Sequence, residues 1–317
     1  MRKLASISID VDSLSSIYKG QGLRRPGGYT SIELRTGLET IQQFFEGYGI
    51  KTTLFMVGND LLDQTNHAAI CSIIQNGHEP ANHSMTHPQG FRWLSPEEKG
   101  KEIAAMGKIC EEVTGIQPIG FRSPGWNIDD NTLPILKQMG YAYDSSVFPT
   151  FLMPLMKFMH WASMSGQVRS NRTTMGMWRY MTAPLIPYRT NQLSFAQKGN
   201  DGIIEFPVSV TPLMRIPFFA TLLLFTGNRF YQALYRNIKQ SGLSIHFQMH
   251  LSDFVDYSLP ELENQMPSTH QGAYIPQALG TPLKKKLEVF NKMFDLMIAD
   301  YEFITLGEWL IRLQGEK

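Results

Sequence analysis

Apolar and polar residues trade places along SISIDVDS, residues 6–13. Ile7, Ile9 and Val11 fall on one face and Ser6, Ser8, Asp10 and Asp12 on the other, because strand side chains alternate with period two. A packed core strand seldom aims serines and aspartates inward, so the pattern predicts a barrel strand whose end carries a site. Farther along, the period switches repeatedly between two and 3.6. SIELRTGLETIQQFFEGYG sets Leu38, Ile41, Phe44 and Phe45 at helical spacing and closes on glycine. IKTTLFMVG predicts a buried strand, and NHAAICSIIQNG a helix ending at Gly77. SPEEKGKEIAAMGKICEEVTG predicts a helix opened by a capping box of Ser95 and Glu98. QPIGFRSP reads as a strand running into a loop, DDNTLPILKQMG as a helix, and YAYDSS, GIIEFPVSV and LSIHFQMH as further strands. TPLKKKLEVFNKMFDLMIADY predicts a helix, followed by strand EFITL and a last short helix. Strand–helix units with recurring polar strand faces predict an α/β fold, a barrel of parallel strands forming one domain over residues 1–317.

The stretch from Ser145 to Asn200 breaks this rhythm. It holds no Asp or Glu, carries Lys157, Arg169, Arg172, Arg179, Arg189 and Lys198, and is crowded with methionine and aromatic residues. The apolar run IPFFATLLLF, Ile216 to Phe225, comes soon after. Residues 145–226 are therefore expected to be an insertion in the barrel, either a lid or a membrane-facing segment. The apolar run is too short to span a bilayer and is expected to dip into one leaflet.

Composition narrows the classes. The net charge of +1 over 317 residues gives no basic excess for nucleic acid. Cys71 and Cys110 sit in helix-like segments and build no disulfide framework, which points to a reducing compartment. The N-terminal MRKLASISIDVD reaches carboxylates too early for a signal peptide, and no apolar run approaches the roughly 18 residues of a transmembrane helix. The expected location is cytoplasmic, peripheral on the inner face of the cell membrane.

Two histidine pairs share one spacing. His246 and His250 lie on an alternating strand, about 13 Å apart at roughly 3.3 Å per residue, and cannot share one ion. His83 and His87 sit in a stretch with Gly77, Pro80 and Pro88, where one helical turn would bring both imidazoles together. Two histidines and one carboxylate leave open positions on a divalent metal, the arrangement hydrolytic sites use.

SIDVDS, NGHEPANHSMTHP, GFRSPGWN and FQMH, in this order and spacing, resemble the polysaccharide deacetylase family, also called NodB-homology or carbohydrate esterase family four. The resemblance implies a distorted, incomplete (β/α) barrel and metal-dependent hydrolysis of N-acylated sugars. It implies Asp10 as general base and Asp12, His83 and His87 as ligands of a divalent metal, zinc first, with cobalt, nickel, manganese or iron as alternatives. It further implies Arg122 as the partner that keeps Asp10 ionised, Gly125 as an N–H facing the oxyanion, Trp126 along the substrate groove, and His250 as general acid. Trp126 as core filler stands beside the groove reading. Leu251 follows His250 where the family often has proline, and the carboxylate that orients His250 is left open among Asp144, Glu205 and Asp253. The expected substrate is an aminosugar bearing an N-acetyl or N-formyl group on a polyprenyl-phosphate carrier, as in the branch that deformylates lipid-linked aminoarabinose. A soluble hydrolase of free sugars or small amides, and an inactive glycan- or lipid-binding barrel, are the alternatives. Sequence does not choose an oligomeric state.

Overall fold

The structure, a computed structural model, describes residues 2–15, 18, 31–88, 90–163, 176–263 and 277–315. Arg169 and Arg172 of the basic stretch lie outside the described residues. Among the described residues, nine strands form one sheet: β1 (Lys3–Val11), β2 (Thr53–Met56), β3 (Glu79–Asn82), β4 (Gly120–Phe121), β5 (Tyr143–Asp144), β6 (Tyr188–Arg189), β7 (Ile204–Glu205), β8 (Ile245–His250) and β9 (Tyr301–Phe303). Their order is β6-β7-β5-β4-β3-β2-β1-β8, with β9 also paired to β1. Every pairing is parallel except β6 with β7. Helices connect the parallel strands, as parallel crossovers require. The sheet curls into a half-barrel, the distorted (β/α) barrel expected from the sequence.

β1 explains the curl and the site together. Its odd-numbered side chains Ala5, Ile7, Ile9 and Val11 join the main apolar cluster, with Ile41 and Phe45 of the helix Ile32–Glu46 and Phe290 and Phe294 of the helix Leu283–Asp300. Ile245, Phe247 and Met249 of β8 enter the same cluster. Ser6 pairs with His246, Ser8 with Gln248 and Asp10 with His250, so the polar faces of the two strands lie side by side. This face is buried too, and it forms the polar interior of the half-barrel. Because nearly all strands run the same way, their C-terminal ends gather at one rim, where such folds build sites. Asp144, Glu205 and His250 end their strands, Asp10 stands one residue before the end of β1, and His83 and Arg122 follow β3 and β4 directly.

The capping box at Ser95 is present. The Glu98 N–H donates to the Ser95 hydroxyl at 3.2 Å, and the Ser95 N–H donates to the Glu98 carboxylate at 2.7 Å. One helix goes unforeseen, and one apolar run is placed by the structure. Asn228–Gln240 is a helix with Tyr231, Leu234, Tyr235 and Ile238 buried, and the alternation argument misses it. Most of the run Ile216–Phe225 is turned into the protein. Phe218, Phe219, Ala220, Leu223 and Leu224 are buried in the protein core, and Phe225 alone among its large side chains stays fully outward. Nine apolar residues and Thr221 here form a bend and a short helix whose buried side chains pack in the protein core.

A Cβ on Gly120 would lie within 2.4 Å of the Tyr143 ring. That ring is anchored by its hydroxyl, which donates to Glu79 at 2.7 Å. Gly120→Ala is therefore expected to destabilise the fold by about 1–3 kcal/mol through overpacking, read as a lowered urea midpoint with unchanged slope.

Candidate functional site

Arg122 is fully buried. Its Nη1 donates to Asp10 Oδ1 at 2.5 Å and its Nε to the Ser145 carbonyl at 2.9 Å. Its Nη2 lies 2.9 Å from Ser8 Oγ, 2.7 Å from Ser145 Oγ and 3.3 Å from His246 Nε2. The guanidinium stacks over Phe55 at 4.0 Å from the ring centre. A buried cation needs this many partners, because an unsatisfied one would be prohibitively desolvated.

Asp10 receives a second hydrogen bond, from Gln248 Nε2 at 2.7 Å. Burial would raise its carboxyl, but Arg122, with His83 and His250 adding to it, overrides this and brings it down to about 2. Asp12, two residues on, has no such cation, and burial pushes it up to about 7. The strand period puts the two carboxylates on one face, and their surroundings split their proton affinities.

His83 and His87 are brought together, with ring centres 5.1 Å apart, and His87 Nε2 lies 3.8 Å from Asp12 Oδ2. No helical turn does this. The segment after β3 is a loop in which Ser84 and His87 take left-handed φ values of 68° and 52°. Side chains enforce it: Asn82 Oδ1 accepts from the Ser84 N–H at 2.8 Å, and Ser84 Oγ from the His87 N–H at 3.1 Å. Glu102 holds the Thr86 N–H and hydroxyl, both at 2.8 Å.

His83 Nδ1 faces the Arg122 carbonyl at 2.8 Å, so it carries the proton and leaves the Nε2 lone pair available. Burial lowers the pKa of His83 and favours this neutral form. Two neutral imidazoles and a carboxylate are the donor set a divalent cation takes. In type, Asp12, His83 and His87 fit. In geometry, the described residues bring them together pairwise, and no group of three His, Cys, Asp or Glu side chains among them closes into a ligating cluster.

The remaining expected residues divide. Gly125 takes a left-handed φ of 60° in the turn Pro124–Trp126. Trp126 is not an open groove wall. It is buried against Phe148 and Phe219, ring centres 4.9 and 6.2 Å away, and its Nε1 has no hydrogen-bond partner. His250 ends β8 level with Asp10. Of the three carboxylates weighed as its partner, Asp253 reaches it. Asp253 Oδ2 accepts from the His250 N–H at 2.9 Å, and the Asp253 N–H caps the imidazole. Asp144 and Glu205 instead bond to each other across β5 and β7, and burial raises both, Asp144 to about 6. Asp144 also holds Ser146, whose hydroxyl accepts from the Ser123 N–H at 2.8 Å, so this pair braces the loop after Arg122.

Sequence reasoning passed over Gln248, Ser8, Ser145 and His246 as parts of this network. Parity was the available signal: 246, 248 and 250 share a strand face. His246 Nδ1 lies 3.2 and 3.3 Å from the carbonyls of Phe206 and Pro207, while Nε2 faces Ser8 Oγ and Arg122. Only the neutral ring protonated at Nδ1 satisfies both sides.

Fold and site together define a (β/α)-barrel protein with an Arg-paired aspartate beside an Asp-His-His donor set. The polysaccharide deacetylase family model matches residues 28–143. A peptidoglycan deacetylase-like protein of Gibberella zeae is 28% identical over 147 residues, 44% of this chain and 43% of that protein. A peptidoglycan-N-acetylglucosamine deacetylase of Bacillus cereus is 32% identical over 94 residues, 30% of this chain and 42% of that protein. The chain thus matches less than half the length of either curated relative. A solved structure from Mycobacterium smegmatis, described as a polysaccharide deacetylase, shares the fold at 16% identity, with a TM-score of 0.63 over 99% of this chain and 91% of that one. The sequence likeness to polysaccharide deacetylases is thus confined to part of the chain, while the likeness in fold extends over nearly all of it.

Burial and Arg122 push the His246 pKa down to about 3. Between that value and the ordinary 6.5 the unfolded chain binds a proton that the folded chain refuses, so stability falls as pH drops below about 6.5. His246 alone is expected to cost about 2 kcal/mol between pH 7 and pH 5. His78, lowered to about 4 by burial, adds to the slope. The check is therefore the pH 7-to-5 difference in urea midpoint, expected to be smaller in His246→Gln than in the parent.

Proposed function

We propose that the protein is a metal-dependent hydrolase that removes an N-acetyl or N-formyl group from an aminosugar. The observation that carries this reading is Asp10, held ionised by Arg122 on the same strand face as Asp12 and beside His83 and His87. Asp12, His83 and His87 would hold the divalent cation, which when bound supplies Lewis-acid polarisation of the acyl carbonyl and of water. Asp10 accepts the proton of the attacking water, and Gln248 and Arg122 fix its two oxygens so that it does so from one position. Gly125, in its left-handed turn, offers the backbone N–H for charge developing on the acyl oxygen. His250 delivers a proton to the departing amine, its imidazole capped by the Asp253 N–H and its strand register placing it level with Asp10. The relatives' names, deacetylases of peptidoglycan and chitin, support an N-acylated sugar as the substrate class.

The sugar is carried on a polyprenyl phosphate and met at the cytoplasmic membrane surface in envelope glycan synthesis. Supporting this is the stretch without acidic residues. It leaves Phe151, Leu155, Phe158, Trp178 and Leu193 exposed and carries Lys157, Arg179 and Arg189. Apolar side chains interleaved with cations suit an anionic bilayer surface.

Acyl release is expected from N-acylated aminosugars, to stop with chelator and to resume on adding zinc, and to fall about 10²–10⁴-fold in Asp10→Asn, measured on the folded fraction because leaving buried Arg122 without its carboxylate also lowers stability. Parent-like turnover by Asp10→Asn would remove the proposed base. For the membrane reading, sedimentation with vesicles containing anionic lipid is expected, and Phe158→Ser with Leu155→Ser should weaken it. No sedimentation of the parent protein overturns that part alone.

A further inference from the structure

A cleft of about 540 Å³ is lined by Arg92, Trp93, Asp129, Met177, Trp178 and Arg179. Half of its lining continues the two loops of the site, and half comes from Met177, Trp178 and Arg179. Arg92 stands in the turn Phe91–Trp93, which Gly90 opens with a left-handed φ of 74° shortly after His87. The Arg92 N–H donates at 3.0 Å to Asn127 Oδ1, and Asn127 follows the Pro124–Trp126 turn that contains Gly125. The wall of the cleft thus ties the histidine loop to the loop after Arg122.

Its charges do not cancel. Asp129 is taken by Lys99 at 2.6 Å, and Arg179 by Asp130 at 2.5 Å. That leaves Arg92 with the field of the shared Asp129 but, among the described residues, no direct ion pair of its own. Its guanidinium stacks over Trp93 at 4.2 Å, and its buried Nε has no hydrogen-bond partner. Trp93 and Trp178 are 55% and 66% exposed, large apolar areas for a soluble surface to leave uncovered. A planar guanidinium stacked on one indole, in a cleft that a second indole also lines, suits a phosphate ester whose organic part packs on the rings.

We propose that this cleft is a subsite for a phosphate ester borne by the N-acylated sugar, with Arg92 as the phosphate's ligand and Trp93 and Trp178 covering the group attached to it. The subsite rests on the deacylase reading for its place beside the scissile amide. The phosphate belongs either to a free sugar phosphate or to a lipid carrier.

Tryptophan fluorescence of the full chain, titrated with N-acetylglucosamine 1-phosphate and with its uncharged methyl glycoside, tests this. The phosphate ester is expected to bind at least about tenfold tighter. Arg92→Gln should abolish that preference and Arg92→Lys should restore part of it, with turnover of the methyl glycoside unchanged in both. Equal affinity for the two ligands in the parent overturns the subsite, as does an Arg92→Gln variant that loses both ligands alike. A prenyl-phosphate-linked N-acetylglucosamine in detergent separates the sources. Arg92 dependence of its binding supports the subsite, and whichever phosphate form binds tighter names the source; no Arg92 dependence with either form overturns it. If neither sugar is deacylated, the activity reading fails while the binding comparison still decides the cleft.

Discussion

A single buried guanidinium organises this molecule. Arg122 directly follows β4 and links β1 through Ser8 and Asp10, the loop after β5 through Ser145, and β8 through His246. A charge so deep is tolerable only if every neighbour is shaped to it, and so the interior of the half-barrel is polar. Its backbone carbonyl sets the His83 tautomer, and its side chain sets the ionisation of Asp10. One residue thereby fixes the protonation of a proposed ligand and of the proposed base.

The loops around it carry the strain. Among the described residues, non-glycine left-handed φ values occur at Ser84, His87, Trp126 and Arg215. Three of those four lie in the two loops that present His83, His87 and Gly125. Such conformations persist only where surrounding bonds over-determine them, which Asn82, Ser84, Glu102 and Asn127 do here. The loops are thus built for geometry at some cost in local stability.

Much of this was legible in the sequence, for identifiable reasons. The alternation in SISIDVDS gave both faces of β1, because a strand buried on both sides still separates serine from isoleucine. The glycines and Ser95 marked helix ends through local chemistry that tertiary packing did not override. The loop geometry at His83 and His87 was not legible, since it comes from hydrogen bonds to Glu102, which lies in another element. Gln248 was hidden because an amide between two histidines signals nothing until β8 pairs with β1 in register. The apolar run Ile216–Phe225 did not tell burial from lipid contact, because both write the same residues.

The split between Asp10 and Asp12 constrains any chemistry done here. A carboxylate brought down to about 2 is ionised at every physiological pH, so it is always ready to accept a proton. The same Arg122 that guarantees this makes Asp10 a weak base, because proton transfer is best driven when donor and acceptor affinities lie near the working pH. Asp10 cannot raise its own affinity without losing the arginine that holds it in place. The compensating change must therefore come from the acid it meets: water acidified by a nearby divalent charge, which is the service the Asp12, His83 and His87 donor set is suited to recruit. On the proposed reading, the buried arginine and the proposed metal ligands serve one requirement: Arg122 keeps Asp10 ionised, and the cation would make the water it meets more acidic.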